Sequence, residues 1–306
     1  MPRSVELAII GGGPAGLAAG LYASRARMDV LLLERLGAGG QVLLTDWVEN
    51  YPGFPEGVSG YDLVENFRNH ATKFGLRIET AEVRRLRFGQ PHLLSLDAEP
   101  LEAKSVIIAS GARPNRLGVR GENELTGKGV SFCATCDGPF YKGQVVAVVG
   151  GGDTAVGEAV YLTRFAAKVY LIHRRDELRA AKVLQERLFG NEKIEVIWDS
   201  IVESIEGTSK VEAALLHNVK SGQTRRLPAD GVFIYIGVRP NASFLAPGDL
   251  DTDPWGFLIS DGEMRTRQSG VFVAGDIRSK SLRQIANAVG EGVVAAHNAG
   301  QYVSNL

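Results

Sequence analysis

The sequence predicts an α/β protein of two domains, each built on a parallel sheet. Three observations predict it. A strand–glycine turn–helix–strand pattern occurs twice, beginning at Val5 and again at Val145. Two short stretches of similar composition, 110–115 and 237–241, read as linkers, which suggests two crossings between the same pair of domains. The chain has 306 residues, too many for one compact core of ordinary size.

The elements follow in order. Residues 5–10 read as a buried strand, apolar throughout except at Glu6. The turn Gly11–Gly16 leads into a helix carrying Leu17, Ala18, Ala19, Leu21 and Tyr22, with Pro14 near its start, where a missing N–H costs little. A strand over 30–33 ends at Glu34. Residues 61–74 read as an amphipathic helix, because Leu63, Phe67, Ala71 and Phe74 recur at helical spacing and Gly75 ends it. From 81 to 108 the pattern changes to short strands, broken at 89–91 and near Pro100. The second unit has a strand over 145–149, a turn over 150–155, a helix over 155–165 and a strand over 169–172 that ends in His173-Arg174-Arg175. More strands follow, to 233–236. A strand over 271–274, then Gly275-Asp276, then a helix over 285–299 complete the chain.

Composition excludes several classes. A hydrophobic fraction of 44% and a charged fraction of 23% suit a soluble globular protein. A formal net charge of −1 gives no global field to hold nucleic acid or an anionic membrane. The apolar stretch from Val5 to Ala23 is interrupted by Glu6, glycines and Pro14, so it reads as a buried strand and helix rather than a signal peptide or membrane span. Only two cysteines occur, three positions apart, which does not make a secreted disulfide scaffold. A reducing, cytoplasmic compartment is expected.

The first turn fits G-x-G-x-x-G at Gly11, Gly13 and Gly16, with Pro14 and Ala15 between. Gly11 permits the tight turn, Gly13 lets backbone approach a pyrophosphate, and Gly16 lets helix and strand pack closely. Phosphates then meet the unpaired N–H groups of the helix start. Glu34 lies 18 residues beyond Gly16, at a strand end, where its carboxylate can accept hydrogen bonds from ribose hydroxyls. The second turn fits G-x-G-x-x-A at Gly150, Gly152 and Ala155, with Asp153 and Thr154 between. No acid follows its second strand. His173, Arg174, Arg175 and Arg179 stand there instead, suited to charge-assisted bonds with a 2′-phosphate. The competing reading is a solvated basic helix start that pairs with Asp176 and Glu177.

Cys133-Ala134-Thr135-Cys136 is a candidate redox pair, since two intervening residues let the sulfurs close a small ring that opens easily. Zinc is disfavoured: there is no second cysteine pair, and the five histidines are scattered. Asp137 could carry the protons the thiols exchange, or be only a turn residue before Gly138-Pro139. Two dinucleotide turns and one dithiol suggest a logic. A flavin can accept hydride from a nicotinamide and pass two electrons to sulfur, so the first turn would hold FAD and the second NADPH. Rival readings are a thiol oxidase that passes electrons to oxygen, a reductase fed by ferredoxin, and a redox-sensing module without turnover. The arginines argue against the first two, which need no 2′-phosphate pocket.

Over nearly its full length the chain resembles low-molecular-weight thioredoxin reductases. The resemblance rests on 11–16, Gly39-Gly40-Gln41, Val48-Glu49-Asn50-Tyr51-Pro52-Gly53, Cys133-Ala134-Thr135-Cys136-Asp137-Gly138, 150–155, His173-Arg174-Arg175-Asp176, Gly275-Asp276 and Arg283-Gln284. It implies two Rossmann-like domains, the second inserted into the first. An FAD domain would span 1–115 and 244–306, and an NADPH domain with the dithiol would span 116–243. It also implies that Gly40, Gln41 and Asn50 lie near the flavin. Gly275 and Asp276 would lie at the ribityl chain, and Arg283 and Gln284 near the ring system. Cys136 would be the thiol beside the flavin, able to form a charge-transfer pair. Cys133 would attack the substrate disulfide, and Asp137 would be the general acid. The implied partners are thioredoxin or a thioredoxin-like protein and a second copy of the chain, in a homodimer whose domains swing about the two linkers. The chain departs from the pattern at Leu43, Leu44, Leu282 and 286–292.

Overall fold

The computed structural model describes residues 3–45, 47–48 and 50–306; Glu49, part of one motif above, lies outside the described residues. The chain divides into two compact units. One runs up to Arg113 and resumes from Arg239 to Leu306; the other is Pro114–Val238.

In the first unit, β1 (Arg3–Ile10), α1 (Pro14–Arg25) and β2 (Val30–Glu34) form the expected βαβ unit. A 3-10 helix, Gly40–Leu44, and a small hairpin of β3 (Trp47–Val48) and β4 (Val58–Ser59) precede α2 (Gly60–Lys73). Ser59 caps α2 by accepting the Asp62 N–H at 3.0 Å. Then come β5 (Arg77–Thr80), β6 (Arg85–Arg87), β7 (His92–Ser95) and β8 (Leu101–Ile108). The sheet order is β5-β2-β1-β8-β7-β6. Strands β5, β2, β1 and β8 are parallel, and β6 and β7 form an antiparallel arm on the early half of β8. After β9 (Ala112–Pro114) the chain enters the second unit.

There it forms β10 (Val130–Ser131), the one-turn helix α3 (Ala134–Asp137), β11 (Val145–Gly150), α4 (Asp153–Leu162), β12 (Lys168–Ile172), α5 (Lys182–Phe189) and β13 (Ile194–Ile197). An antiparallel sheet of β14 (Ser200–Glu206), β15 (Ala213–Asn218) and β16 (Thr224–Pro228) follows, and then β17 (Gly231–Tyr235). The parallel sheet runs β10-β17-β11-β12-β13. The chain leaves through β18 (Val238–Pro240), adds β19 (Val271–Val273) parallel to the end of β8, and finishes with α6 (Ile285–Ser304).

The period-two rule sorts each core strand. Leu7 and Ile9 of β1 pack with α1, α2 and α6; Ala8 and Ile10 face the opposite layer, with Leu86 and Leu94, and Val5 joins that layer across an irregularity where Glu6 and Leu7 both donate to the Asp29 carbonyl. In the second unit Val146 and Val148 of β11 pack on α4, while Ala147 and Val149 meet Leu216 and Leu227 of the antiparallel sheet. The divisions between the two units fall within 110–115 and 237–241, and β9 and β18 in these stretches pair with each other. One competing reading fails. Residues 173–181 are not a helix start: α5 begins only at Lys182. Among the described residues no helix is long and apolar enough to cross a membrane.

Candidate active site

The first glycine turn leaves β1 at its carboxyl end, where open α/β sheets bind ligands. Gly11 has φ +108°, and a Cβ there would meet the Ala109 carbonyl oxygen at 2.4 Å. A Cβ on Gly16 would lie 1.9 Å from the Gly11 carbonyl oxygen, so helix and turn fit only without a side chain. Gly13 is different: nothing lies within 4 Å of its Cβ position. Gly13 is also the N-cap of α1, with no side-chain cap and no acid in the first turn. The helix start thus keeps unpaired N–H groups beside open space, which suits a pyrophosphate. Gly40 packs its Cα region against Gly13, with Gln41 exposed beside it. Glu34 accepts the N–H of Gly12 at 2.7 Å and of Leu36 at 3.1 Å, which fixes its carboxylate at the turn and leaves lone pairs over.

The other first-unit residues collect at the start of α6. Gly275 has φ +79°, and its Cβ would press on Ala15; Gly292 of α6 sits against the Ala15 carbonyl oxygen. Both contacts seat α6 on the turn. Asn50 Nδ2 donates to Gln284 Oε1 at 3.1 Å, so these two, 234 positions apart in sequence, are neighbours. The Asp276 Oδ1 atom is buried without a hydrogen-bond partner, although Lys280 Nζ lies 3.4 Å away. Burial pushes the Asp276 carboxyl up, and Lys280 and Arg283 pull it back. An orphaned buried acceptor fits a ligand hydroxyl. Arg283 donates to the carbonyls of Asp276, Arg278 and Lys280 and lies 4.0 Å over the Phe257 ring, so its guanidinium organises the loop. Sequence reasoning missed Glu291. It is buried and accepts from Gly275 N at 2.7 Å, Arg278 at 2.8 Å and Lys280 at 3.1 Å. The available signal was an acid on the small-residue stripe Ala288, Gly292, Ala295 of α6.

In the second unit the other glycine turn repeats this geometry. Gly150 would collide with Tyr235 and Ala155, whereas Gly152, the N-cap of α4, faces open space and has no side-chain cap. Asp153 Oδ1 accepts the Ala181 N–H at 2.7 Å, and Arg179 N donates to Gly151 O at 2.8 Å. These two bonds tie the 174–181 segment to the turn. Thr154 is exposed on the first turn of α4. Arg174, Arg175 and Arg179 are exposed, and none is in an ion pair among the described residues. Asp176 pairs with Lys220 at 2.7 Å instead, so the reading in which it neutralises the arginines fails. Three unpaired guanidiniums beside an uncapped helix suit a phosphorylated nucleotide. His173 does not join them. Its ring is buried under Gly151 and edge-on to Trp198, and burial holds it below the ordinary histidine value.

Cys133 and Cys136 form a disulfide across α3. Both are half-buried, as is Asp137. The turn is held from two sides. Ser131 Oγ accepts the Cys133 N–H at 3.1 Å and donates to Asp137 Oδ2 at 2.5 Å. Tyr235 Oη accepts the Ala134 N–H at 2.5 Å. Thr135 Oγ1 lies 3.4 Å from Cys133 Sγ. Burial, then the charge of Asp137 and of Asp230, push the Tyr141 phenol up to about 12, and burial pushes Tyr235 up as well. The turn is therefore lined by neutral phenols and one carboxyl group. Ser131 and Tyr235 carried no sequence signal of their own.

Residues 5–292 match the family described as pyridine nucleotide-disulphide oxidoreductase. A protein of Listeria monocytogenes named thioredoxin reductase is 46% identical over 98% of this chain and 94% of its own length. The crystal structure of thioredoxin reductase from Streptococcus pyogenes superposes with a TM-score of 0.95 at 44% identity, covering 100% of both chains. Thioredoxin reductase from Giardia duodenalis gives 0.93 at 38% identity over 99% of each. The family implies a flavin and a pyridine nucleotide, and both turns have the open, uncapped form such ligands need. The chain belongs to the pyridine nucleotide-disulphide oxidoreductase family, among its thioredoxin reductases.

Proposed function

We propose that the chain reduces the disulfide of thioredoxin, or of a thioredoxin-like protein, with electrons from NADPH passed through FAD and the Cys133–Cys136 pair. The observation that carries the reading is the disulfide in one chain with two open glycine turns, one of them flanked by unpaired arginines. FAD would be held by Gly11–Gly16, Glu34, Gly40, Gln41, Asn50, Gly275, Asp276, Arg283 and Gln284. NADPH would be held by 150–155 with Arg174, Arg175 and Arg179. The chemistry a bound flavin supplies is acceptance of hydride and release of two electrons to sulfur.

The chain's own residues do the rest. Reduction opens the disulfide and leaves two electrons and two protons on the cysteine pair. Cys133 thiolate attacks one sulfur of the partner disulfide; a mixed disulfide forms and the other partner sulfur leaves as thiolate. Cys136 thiolate then attacks Cys133 Sγ, restoring the internal bond and releasing the second partner thiolate. Asp137 relays the two protons that end on the partner. In sum, NADPH, one proton and a disulfide become NADP⁺ and a dithiol.

Anaerobic titration with NADPH tests this. Flavin colour should bleach, and two thiols per chain should appear; thioredoxin should then restore the colour. Flavin that stays oxidised under NADPH overturns the assignment of the second turn. We also propose a cytoplasmic homodimer, expected to scatter light at twice the chain mass.

A further inference from the structure

The dithiol turn rests on one buried hydroxyl. Ser131 is 4% exposed and ends β10, which is paired in parallel with β17 at Phe233. Its Oγ has one proton to give. The Asp137 Oδ2 atom at 2.5 Å is a far better acceptor than the Cys133 carbonyl at 3.4 Å, so the proton goes to the carboxylate. The oxygen's lone pairs then receive the Cys133 N–H at 3.1 Å. A single atom thereby fixes the start of the Cys133–Cys136 turn and the carboxyl group at its end. The same strand β17 carries Tyr235, whose Oη holds the next N–H, that of Ala134.

We propose that Ser131 is a positioning residue for disulfide exchange: it locks Asp137 to the dithiol turn and favours the carboxylate's charged form, so it sets the pH at which Asp137 takes and gives a proton. The inference deepens the reductase reading and rests on Asp137 as the proton carrier. The titratable groups that face Asp137 include Tyr141, Tyr235 and, in the reduced protein, the two thiols; Asp230 and Glu158 stand next to the phenols. Both phenols are pushed above their ordinary values, so neither changes charge between roughly pH 6 and 9. The thiols and Asp137 share one turn and exchange protons, so the pH profile reports them as a coupled set.

The test compares Ser131→Ala with Ser131→Thr in the full-length flavoprotein. Removing a hydrogen bond to a charged carboxylate should move the limb of the kcat/KM profile for thioredoxin at which Asp137 loses its proton, the alkaline limb of a general acid, up by about one pH unit. Ser131→Thr keeps the hydroxyl and should stay at the wild-type limb. In an Asp137→Asn background, Ser131→Ala should move nothing further. An unmoved limb in Ser131→Ala, an equal shift in Ser131→Thr, or a shift that persists without the carboxylate each overturns the proposal. If Ser131→Ala does not fold, Ser131→Gly serves the same comparison. A second readout needs neither nucleotide nor partner: the ultraviolet absorbance of the thiolates, followed against pH after chemical reduction. If wild type reduces no thioredoxin but the thiolate titration still shifts in Ser131→Ala, the substrate reading fails and the Ser131 inference stands. If turnover is normal and neither readout shifts, the Ser131 inference fails alone.

Discussion

Two glycines three residues apart separate what the first turn needs for folding from what it needs for its ligand. A methyl on Gly16 would sit 1.9 Å from the Gly11 carbonyl oxygen, a backbone atom that cannot rotate away. Gly16→Ala must therefore shift the turn or the helix, at about 1–3 kcal/mol or more of folding stability. A methyl on Gly13 meets nothing within 4 Å, and Gly13 has φ −75°, which alanine adopts freely. Its cost to the empty protein is the loss of a glycine N-cap, roughly 0.5 kcal/mol, partly offset by the smaller entropy of the unfolded chain. The same methyl fills the space a pyrophosphate would enter, so flavin affinity should fall by about two orders of magnitude, the scale of one badly displaced charged hydrogen bond. The assay is urea unfolding of flavin-stripped protein, paired with the flavin-to-protein absorbance ratio after reconstitution. Gly16→Ala should fail both measurements; Gly13→Ala should unfold like wild type and come back colourless. Gly13→Ala that retains flavin fully would refute the placement of the phosphates over the α1 start.

The remaining predictions are shorter. Arg174→Ala with Arg175→Ala removes two exposed guanidiniums, so each should cost near the low end for a charged hydrogen bond, about 1.5 kcal/mol. kcat/KM for NADPH should drop roughly 100-fold, while that for NADH changes less than about threefold; equal losses would show that these residues do not read a 2′-phosphate. Tyr235→Phe deletes the acceptor of a buried N–H, and Ala134 amide exchange should quicken by about 10- to 100-fold, whereas unchanged protection would show the amide finds another acceptor. His92 and His173 are both held below the ordinary value, first by burial. The unfolded chain therefore takes up protons before the folded one, so stability is full above about pH 6.5 and is lost as pH falls towards the depressed folded values, by at most about 1.4 kcal/mol per pH unit for each histidine. Urea midpoints that do not fall between roughly pH 6.5 and 5 would contradict this.

What was legible in the chain follows from how local the cause was. The βαβ units were readable because apolar runs such as Leu7–Ile10 and Val145–Val149 suit a strand covered on both faces, and the glycines after them include positions such as Gly11 and Gly16 where no side chain fits. The ends of α4 and α6 moved by a few residues, since helix ends depend on tertiary cover: α6 runs on to Ser304, and Tyr302 in that extension packs against the core. The placement of His173 is more instructive. In sequence it heads a basic string with Arg174 and Arg175, and charge alone groups all three. In the fold its ring fills the space over Gly151 while the arginines stay in solvent. An imidazole and a guanidinium share a formal class, but only one can enter a core neutral at small cost. Ser131 and Tyr235 were invisible, and Glu291 was overlooked, for the converse reason. Each acts through hydrogen bonds to groups that the fold brings to it, and such pairings are created by topology rather than by spacing. The chemistry of this protein was therefore readable where it is written in short motifs, and hidden where the fold supplies the groups that hold those motifs in place.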